Sequence, residues 1–379
     1  MTTATAKKAK RGGAFTVPAS DLASALRAVA PAVSAKSPVL SHVLLGGSVE
    51  ATNGDLRITV AIRSASDDVL VPHARLSAII GSVHGDVEIE CAATSVTIRA
   101  ARGTWVLPTA DVAEWPRETI NPKPFARLPA DQFVRSVSAV IDAADSESSR
   151  FALGGVLLEH RGPDLAFVAT DGRRLQLTTL DLDQATDDAS VIVPRQAMQV
   201  LGRIAAAGGE DPMQLGVVGS DLVGECGAVR VTARLLSGRF PRWLDVVPAH
   251  CRPEFGVDGE RIYKEPPEHA EIVAGELLAA VRQAAIVTSE QSRGVTFAFT
   301  PSGLGLQAQS SESGQSMVTA DLAKVGPNVV VRLDPQFVTE WLRTVDAGAI
   351  VEVFAQNSES AVVLRHEDAL AVLMPMAAE

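Results

Sequence analysis

The chain has 379 residues, of which 34 are Lys or Arg and 45 are Asp or Glu, giving a net charge of −11 at pH 7. With 46% hydrophobic residues and a mean hydropathy of +0.16 it can bury real cores, and its length favours two or three domains over one. These figures exclude a disordered chain and a uniformly cationic nucleic-acid binder; no apolar run suits a membrane helix, and three dispersed cysteines (Cys91, Cys226, Cys251) make no disulfide framework or zinc site.

In chain order, residues 1–13 carry Lys7, Lys8, Lys10 and Arg11 without an acid and read as a disordered basic tail. Val17-Pro18 then leads into a helix with an apolar stripe at Leu22, Leu26 and Val29 and an acid, Asp21, in the first turn. A second helix, introduced by Val71-Pro72, carries Leu76, Ile79 and Ile80. Three strand-like runs follow at Asp86–Cys91, Val96–Ala100 and Thr104–Leu107. The proline-bearing segment Ile120-Asn121-Pro122-Lys123-Pro124 reads as a linker.

The same order then recurs. Leu128-Pro129 introduces a helix with Phe133, Val137 and Val140, preceded by Asp131. Alternating runs follow at Val156–Glu159 and Leu165–Ala169, and Val193-Pro194 introduces a helix with Met198 and Leu201. A meander closes this second copy at Met213–Val218, Leu222–Cys226 and Arg230–Leu235. After a charged, proline-rich stretch over Pro248–Ile272, a third copy has Glu276 before a Leu277, Val281, Ala284 stripe. It continues with Asp334-Pro335 before Val338, Trp341 and Leu342, then a meander at Ile350–Ala355, Ala361–Arg365 and Leu370–Met374. Three copies of helix, strands, helix, strands make an α+β repeat. Their expected bounds are 14–121, 122–250 and 251–379, the last opening with a long linker over 249–272.

No catalytic signature accompanies the repeat. P-loop, dinucleotide-binding, HExxH and GxSxG patterns are absent, and the seven histidines are scattered without ligand spacing. The expectation is a protein without cofactor or metal. Charge does have a pattern, however. Five residues beyond the first apolar position of four helices stand Arg27, Arg203, Arg282 and Arg343, about 140° around each wheel at 100° per residue. Arg135 lies on the same outer face of its helix, and Arg75 flanks that place on another. One such arginine reads as a solubility device; recurrence at one phase reads as a common cationic surface able to meet phosphates without reading bases.

Three stretches resemble the bacterial β sliding clamp family, the processivity subunit of DNA polymerase III. They are Ser149-Arg150-Phe151-Ala152-Leu153-Gly154-Gly155 with Ala169-Thr170-Asp171-Gly172-Arg173-Arg174-Leu175, then Leu236-Ser237-Gly238-Arg239-Phe240-Pro241 with Val246-Val247-Pro248, and Leu373-Met374-Pro375-Met376 at the C-terminus. The resemblance runs from about Phe15 to Met376. It implies three clamp-type domains per chain and two chains closing head to tail into a cytoplasmic ring, with helices lining the hole and antiparallel sheets outside. Such a ring encircles double-stranded DNA without sequence preference and without touching a membrane, and is not an enzyme.

The resemblance also implies site residues. DNA contacts would fall on Arg27, Lys36, Arg75, Arg135, Arg150, Phe151, Arg203, Arg282 and Arg343. A cleft for short peptides of the replicative polymerase, clamp loader and repair proteins would be walled by Arg150, Leu153, Thr170, Gly172, Arg173, Arg174, Leu175, Pro241, Val246, Val372, Leu373, Met374, Pro375 and Met376. Read alone, Asp171-Gly172 is a hairpin turn and Met374 and Met376 are ordinary core. The homodimer interface would use Trp105 and Leu107 on one side and Ile286 and Val287 on the other; buried core is an equal reading for each.

The sequence departs from the family's usual pattern in several places. Asp245 stands where arginine is usual beside the cleft, Arg173 where histidine is common, and Ala377-Ala378-Glu379 replaces a basic-apolar end. The first copy is shortened after Leu56-Arg57-Ile58-Thr59-Val60. A clamp-like scaffold that is not loaded on DNA, and a cytosolic hydrolase, are the two rival readings.

Overall fold

Six helices carry the apolar stripes read from the sequence: α1 (Ala19–Val29), α2 (His73–Gly81), α3 (Ala130–Val140), α4 (Arg195–Ala207), α5 (Ala274–Ala284) and α6 (Pro335–Leu342). The computed structural model describes residues 13–62, 67–92, 94–117, 121–145, 151–161, 164–182, 189–252, 254–255, 261–262, 264–289 and 293–377. For Phe151, Arg161, Glu254, Phe255 and Arg261 it describes the backbone alone. The basic tail, apart from Gly13, and Arg150 lie outside the described residues.

Leu22, Leu26 and Val29 of α1 and Leu277, Val281 and Ala284 of α5 are all buried. Each large apolar side chain removed from water in this way contributes about 1.5–3 kcal/mol. Among the expected helix-opening prolines, Pro335 takes the first helical position, with the Asp334 carboxylate capping the Gln336 amide at 2.9 Å. Pro72 and Pro194 instead end the preceding strands, where a missing N–H costs little.

The chain forms two compact units, the first from Met1–Ala130 with Ile204–Arg234 and the second from Asp131–Arg203 with Leu235–Glu379. In the first unit, a four-stranded antiparallel sheet runs Ala14–Pro18, Asp86–Cys91, Ser95–Ala100, Gly103–Pro108. An eight-stranded sheet runs Val69–Pro72, His42–Leu45, Ser48–Thr52, Leu56–Ala61, Val229–Arg234, Asp221–Cys226, Met213–Val218, Pro124–Leu128. Helices α1 and α2 pack together, and α1 also lies on this sheet.

The second unit repeats the plan. Its eight-stranded sheet runs Ala189–Pro194, Gly155–Arg161, Asp164–Thr170, Arg174–Asp181, Ala369–Leu373, Val362–His366, Ile350–Phe354, Ala270–Val273. A four-stranded sheet runs Gly314–Ala320, Gly303–Ser310, Val295–Thr300, Val329–Leu333, and α5 packs on α6 around the fully buried Trp341. Between α3 and α4 a side chain at Gly202 would bring its Cβ within 3.3 Å of Val137, so the glycine sets their spacing.

The strand registers reveal a threefold repeat finer than the helix pattern. After its last strand, each copy turns back to donate one amide to the strand that precedes its second helix: Ala110 to Leu70 O (3.1 Å), Leu236 to Ile192 O (2.9 Å) and Met376 to Arg332 O (2.8 Å). From each acceptor a row of directly opposed residues crosses the sheet. The rows are Leu70, Leu44, Glu50, Thr59; then Ile192, Leu157, Val168, Leu177; then Arg332, Thr296, Gln307, Met317.

In the first two copies that row continues across a seam into another copy's last strand, Thr59 facing Arg230 and Leu177 facing Leu370. In the third copy the row stops at Met317, because Gly314–Ala320 ends its sheet. Gly103–Pro108 likewise ends its own.

Candidate functional site

Beside each seam the chain builds the same tight hairpin. Thr170 Oγ1 accepts from the Gly172 amide (3.1 Å), and Asp171 Oδ1 accepts from Arg173 N (2.9 Å) and Arg174 N (3.0 Å). In the first unit Thr52 Oγ1 accepts from Gly54 N (3.2 Å), and Asn53 Oδ1 from Asp55 N (3.0 Å) and Leu56 N (2.8 Å). Gly54 (φ +99°) and Gly172 (φ +90°) take a conformation that other residues rarely adopt. Both hairpins then receive one amide from across the seam, Arg234 N to Asp55 O (2.8 Å) and Met374 N to Arg173 O (2.9 Å).

What differs is the order of the next two residues. Successive strand residues point to opposite faces. In the second unit Arg174 therefore points to the helix side and Leu175 to the other face; in the first, Leu56 and Arg57 reverse that order. Arg174 is buried, and its Nε bonds Asp171 (3.1 Å), Nη1 bonds Glu340 of α6, and Nη2 bonds the Asp142 carbonyl. Its guanidinium also lies 4.2 Å from the Phe337 ring centroid. Every one of these partners satisfies a charge that would be costly to bury alone.

On the opposite face Leu175 faces Val372 across the seam, and both join an apolar cluster with Leu157, Val168, Leu177, Phe240 and Val247. Residues 236–252 form a strap over this cluster, fastened by Trp243 Nε1 donating to Glu159 Oε2 at 2.8 Å. Pro241 and Val246 lie exposed beside the buried Phe240 and Val247, and Val246 is 54% exposed. Met374 is 50% exposed where it leaves the seam, Pro375 and Met376 are half-buried, and Gly172 and Arg173 form an exposed rim.

The structure thus brings Thr170, Gly172, Arg173, Leu175, Val372 and Met374 together at one seam, with Pro241 and Val246 on the strap over the same cluster. Leu153 is buried on the 3-10 turn Phe151–Leu153. Leu373, opposite Arg174, joins the other core with α5 and α6 and does not face the strap. Leu175 and Val372 are themselves buried beneath the strap, and what the seam exposes is an adaptable rim of Gly172, Arg173, Pro241, Val246 and Met374 around an apolar floor, the composition that suits short apolar anchors. Sequence reasoning missed Phe337, Glu340 and Asp142, which hold Arg174; no local pattern points to partners so far along the chain.

The far end of the strap is pinned by charge. Arg365 forms an ion pair with Glu352 and donates to His250 O at 3.2 Å, and its guanidinium sits 5.1 Å from the Phe354 ring centroid. Burial would raise the Glu352 carboxyl, but Arg365, His269 and Lys324 together hold it below its ordinary value. Burial, then Arg365 and His269, push the His250 imidazole down. The Cys251 thiol, buried beside them, is pushed up to about 11 and is a packing group, not a nucleophile.

Among the described residues, the basic ones expected to meet phosphates are exposed: Arg27, Lys36 and Arg75 in the first unit, Arg135, Arg203, Arg282 and Arg343 in the second. Arg343 stands just past α6 as its C-terminal cap, and Lys36 lies in the loop after α1. Arg135 pairs with Asp131 at 2.9 Å and Arg27 donates to Ser24 Oγ at 3.0 Å, interactions weak enough at the surface to exchange for a phosphate.

The two terminal strands carry exposed apolar residues, Val106 (62%) on Gly103–Pro108 and Met317 (80%) on Gly314–Ala320, with Ile286 (77%) on the turn packed beside the latter. Trp105 and Leu107 are half-buried on the inner face opposite Ile98 and Val96, and Val287 is half-buried. Among the described residues no group of three His, Cys, Asp or Glu is placed to hold a metal, and no helix is long and apolar enough to cross a membrane.

Comparison with known proteins agrees with this geometry. The family models of the DNA polymerase III beta subunit match at residues 127–242 for the central domain and 262–377 for the C-terminal domain. The chain is 25% identical over 354 residues to the beta sliding clamp of Salmonella typhimurium, covering 89% of this chain and 92% of that one. It is 26% identical over 381 residues to the beta sliding clamp of Pseudomonas aeruginosa, covering 96% and 99%. Among solved structures, the Bacillus subtilis DNA polymerase sliding clamp superposes with a TM-score of 0.87 at 17% identity, covering 98% of this chain and 100% of that one. A P. aeruginosa sliding clamp bound to griselimycin superposes with a TM-score of 0.86 at 22% identity, covering 97% and 100%.

Proposed function

The chain belongs to the bacterial β sliding clamp family of DNA polymerase III, and we propose that it works as a DNA sliding clamp: two copies close head to tail around duplex DNA and tether the replicative polymerase for processive synthesis. The observation that carries this reading is the interrupted row. Two seams of one kind form within the chain, while a strand of each kind that makes such seams, Gly314–Ala320 and Gly103–Pro108, is left at a sheet edge. Pairing these strands between two chains completes the series and closes those two edges.

Retention on DNA is then topological. A net charge of −11 is compatible with it, because only the helix face needs to be cationic. Arg27, Lys36, Arg75, Arg135, Arg203, Arg282 and Arg343, with Arg150, would supply sequence-independent phosphate contacts, and Phe151 would lie among the residues that meet the DNA. The domains would span 14–121, 122–250 and 251–379, in the cytoplasm, and the chain would supply no catalysis of its own.

The seam cleft of the second unit would take short peptides of the polymerase, clamp loader and repair proteins. Leu175, Val372, Val246 and Met374 would receive their apolar anchors, with Thr170, Gly172, Arg173, Pro241 and Met376 around them. Griselimycin, the ligand of the P. aeruginosa clamp, is a ready probe. Titrating it into the wild-type chain and into Val246→Asp tests the cleft: binding by the first and at least tenfold weaker binding by the second is expected, as for other central anchors. Equal binding to both would remove the cleft from the reading. Light scattering should give the mass of two chains.

A further inference from the structure

Both units contain the same seam hairpin, Thr-Asx-Gly, tied across the seam by the same amide bond, yet only one of them offers an apolar floor. In the first unit Arg57 occupies the place of Leu175, Glu50 that of Val168 and Thr59 that of Leu177. Arg57 is ion-paired with Glu50 and donates to Pro116 O at 2.6 Å, while Trp115 Nε1 donates to Glu50 at 2.8 Å and Thr59 Oγ1 to the same carboxylate at 3.0 Å. The equivalent surface is therefore filled by a hydrogen-bonded polar network.

In the second unit the charge is on the other face. Arg174 has four partners there, and two of them, Glu340 and Phe337, come from α6, more than 160 residues away in the chain. Asp171 links the two halves of the arrangement. One of its oxygens closes the hairpin that forms the cleft rim; the other holds Arg174 Nε.

We propose that Glu340 is a positioning residue of the peptide cleft: by holding the Arg174 guanidinium against α6, it fixes Asp171 and with it the Gly172-Arg173 rim and the Arg173 carbonyl that receives Met374. This rests on the cleft reading above and adds to it a residue on the opposite side of the sheet. Glu340 bonds Arg174 and Gln336, and it acts on the cleft through Arg174. Without it, Arg174 keeps Asp171, the Asp142 carbonyl and the Phe337 ring but loses its ion pair with α6, so the guanidinium is held less firmly and braces the hairpin less.

The test is a double-mutant cycle on griselimycin affinity in the full-length chain, read by calorimetry, with Glu340→Ala, Arg174→Met and the pair. Glu340→Ala should weaken binding by about tenfold, within the range of couplings between residues of one hydrogen-bonded network. In the Arg174→Met background the same change should have no further effect. Glu340→Gln, which keeps an acceptor for Arg174, should recover most of the affinity; a role confined to stability would show as a lowered melting temperature with unchanged affinity. Unchanged affinity in Glu340→Ala, or equal losses in both backgrounds, would overturn the assignment. Failure of the wild-type chain to bind griselimycin would instead remove the cleft reading, and this assignment with it. If Glu340→Ala does not fold, Glu340→Met, which keeps the bulk of the side chain but offers Arg174 no acceptor, reads the same coupling in the two backgrounds.

Discussion

The amide of Met374 donates to the carbonyl of Arg173 at 2.9 Å, joining the last strand of the chain to the rim of a hairpin two hundred residues earlier. Met374 also exposes half its surface at that point. Backbone and side chain therefore make separate contributions to the cleft, and two substitutions separate them. Met374→Ala keeps the amide and Met374→Pro removes it. The proline variant should bind griselimycin about fivefold more weakly than the alanine variant, matching roughly 1 kcal/mol for one hydrogen bond. Equal affinities would show that the backbone tie does not shape the cleft.

Dimer closure makes a register prediction. Counting back four residues from each returning amide places Val106 where Thr232 and Val372 stand, and the rows place Gln315 where Arg57 and Leu175 stand. Val106 of one chain should therefore face Gln315 of the other. Opposed antiparallel residues have Cα atoms about 4.5–5.5 Å apart, within disulfide range. Val106→Cys combined with Gln315→Cys should give a covalent dimer on oxidation. Thr104→Cys with Gln315→Cys should not, and a reversed pattern would refute the register.

The helix-face arginines should act alike whatever the DNA sequence. Replacing Arg27 or Arg282 by alanine should weaken duplex binding and flatten the plot of log affinity against log salt by about 0.9 for each phosphate no longer neutralised. A change that depended on base sequence, or an unaltered slope, would place these side chains away from the phosphates.

Acid should loosen the strap. The His250 imidazole is held below its ordinary 6.5, so the folded chain favours its neutral form, and its Nε2 is buried without a partner. That stability is present above pH 6.5 and is lost as pH falls below it; the lowered Glu352 adds a loss only below its ordinary 4.5. The melting temperature should fall between pH 7 and pH 5 in the wild-type chain and fall less in His250→Leu. Parallel curves would assign the loss elsewhere.

Much of the fold was legible because helices advertise themselves. The Leu22, Phe133 and Leu277 stripes recur with the 3.6-residue period, and each faces a core. Strands declare their own faces but not their neighbours, so nothing local to Leu175 names Val372, and nothing local to Arg174 names Glu340. The paired hairpins were in principle visible as Thr52-Asn53-Gly54 and Thr170-Asp171-Gly172. Their contrast rests on the reversed order of one charged and one apolar residue, which gains meaning only once the strand's two faces are known. Alternation likewise marks Trp105 and Leu107 as a pair without telling which face is inward; the more exposed residue is Val106 between them.

The most direct measurement is the lifetime of the protein on nicked circular duplex DNA after loading by the clamp loader, compared with the same molecule cut once. A closed ring stays on the circle and slides off the linear form at its ends. Equal, rapid loss from both would contradict encirclement.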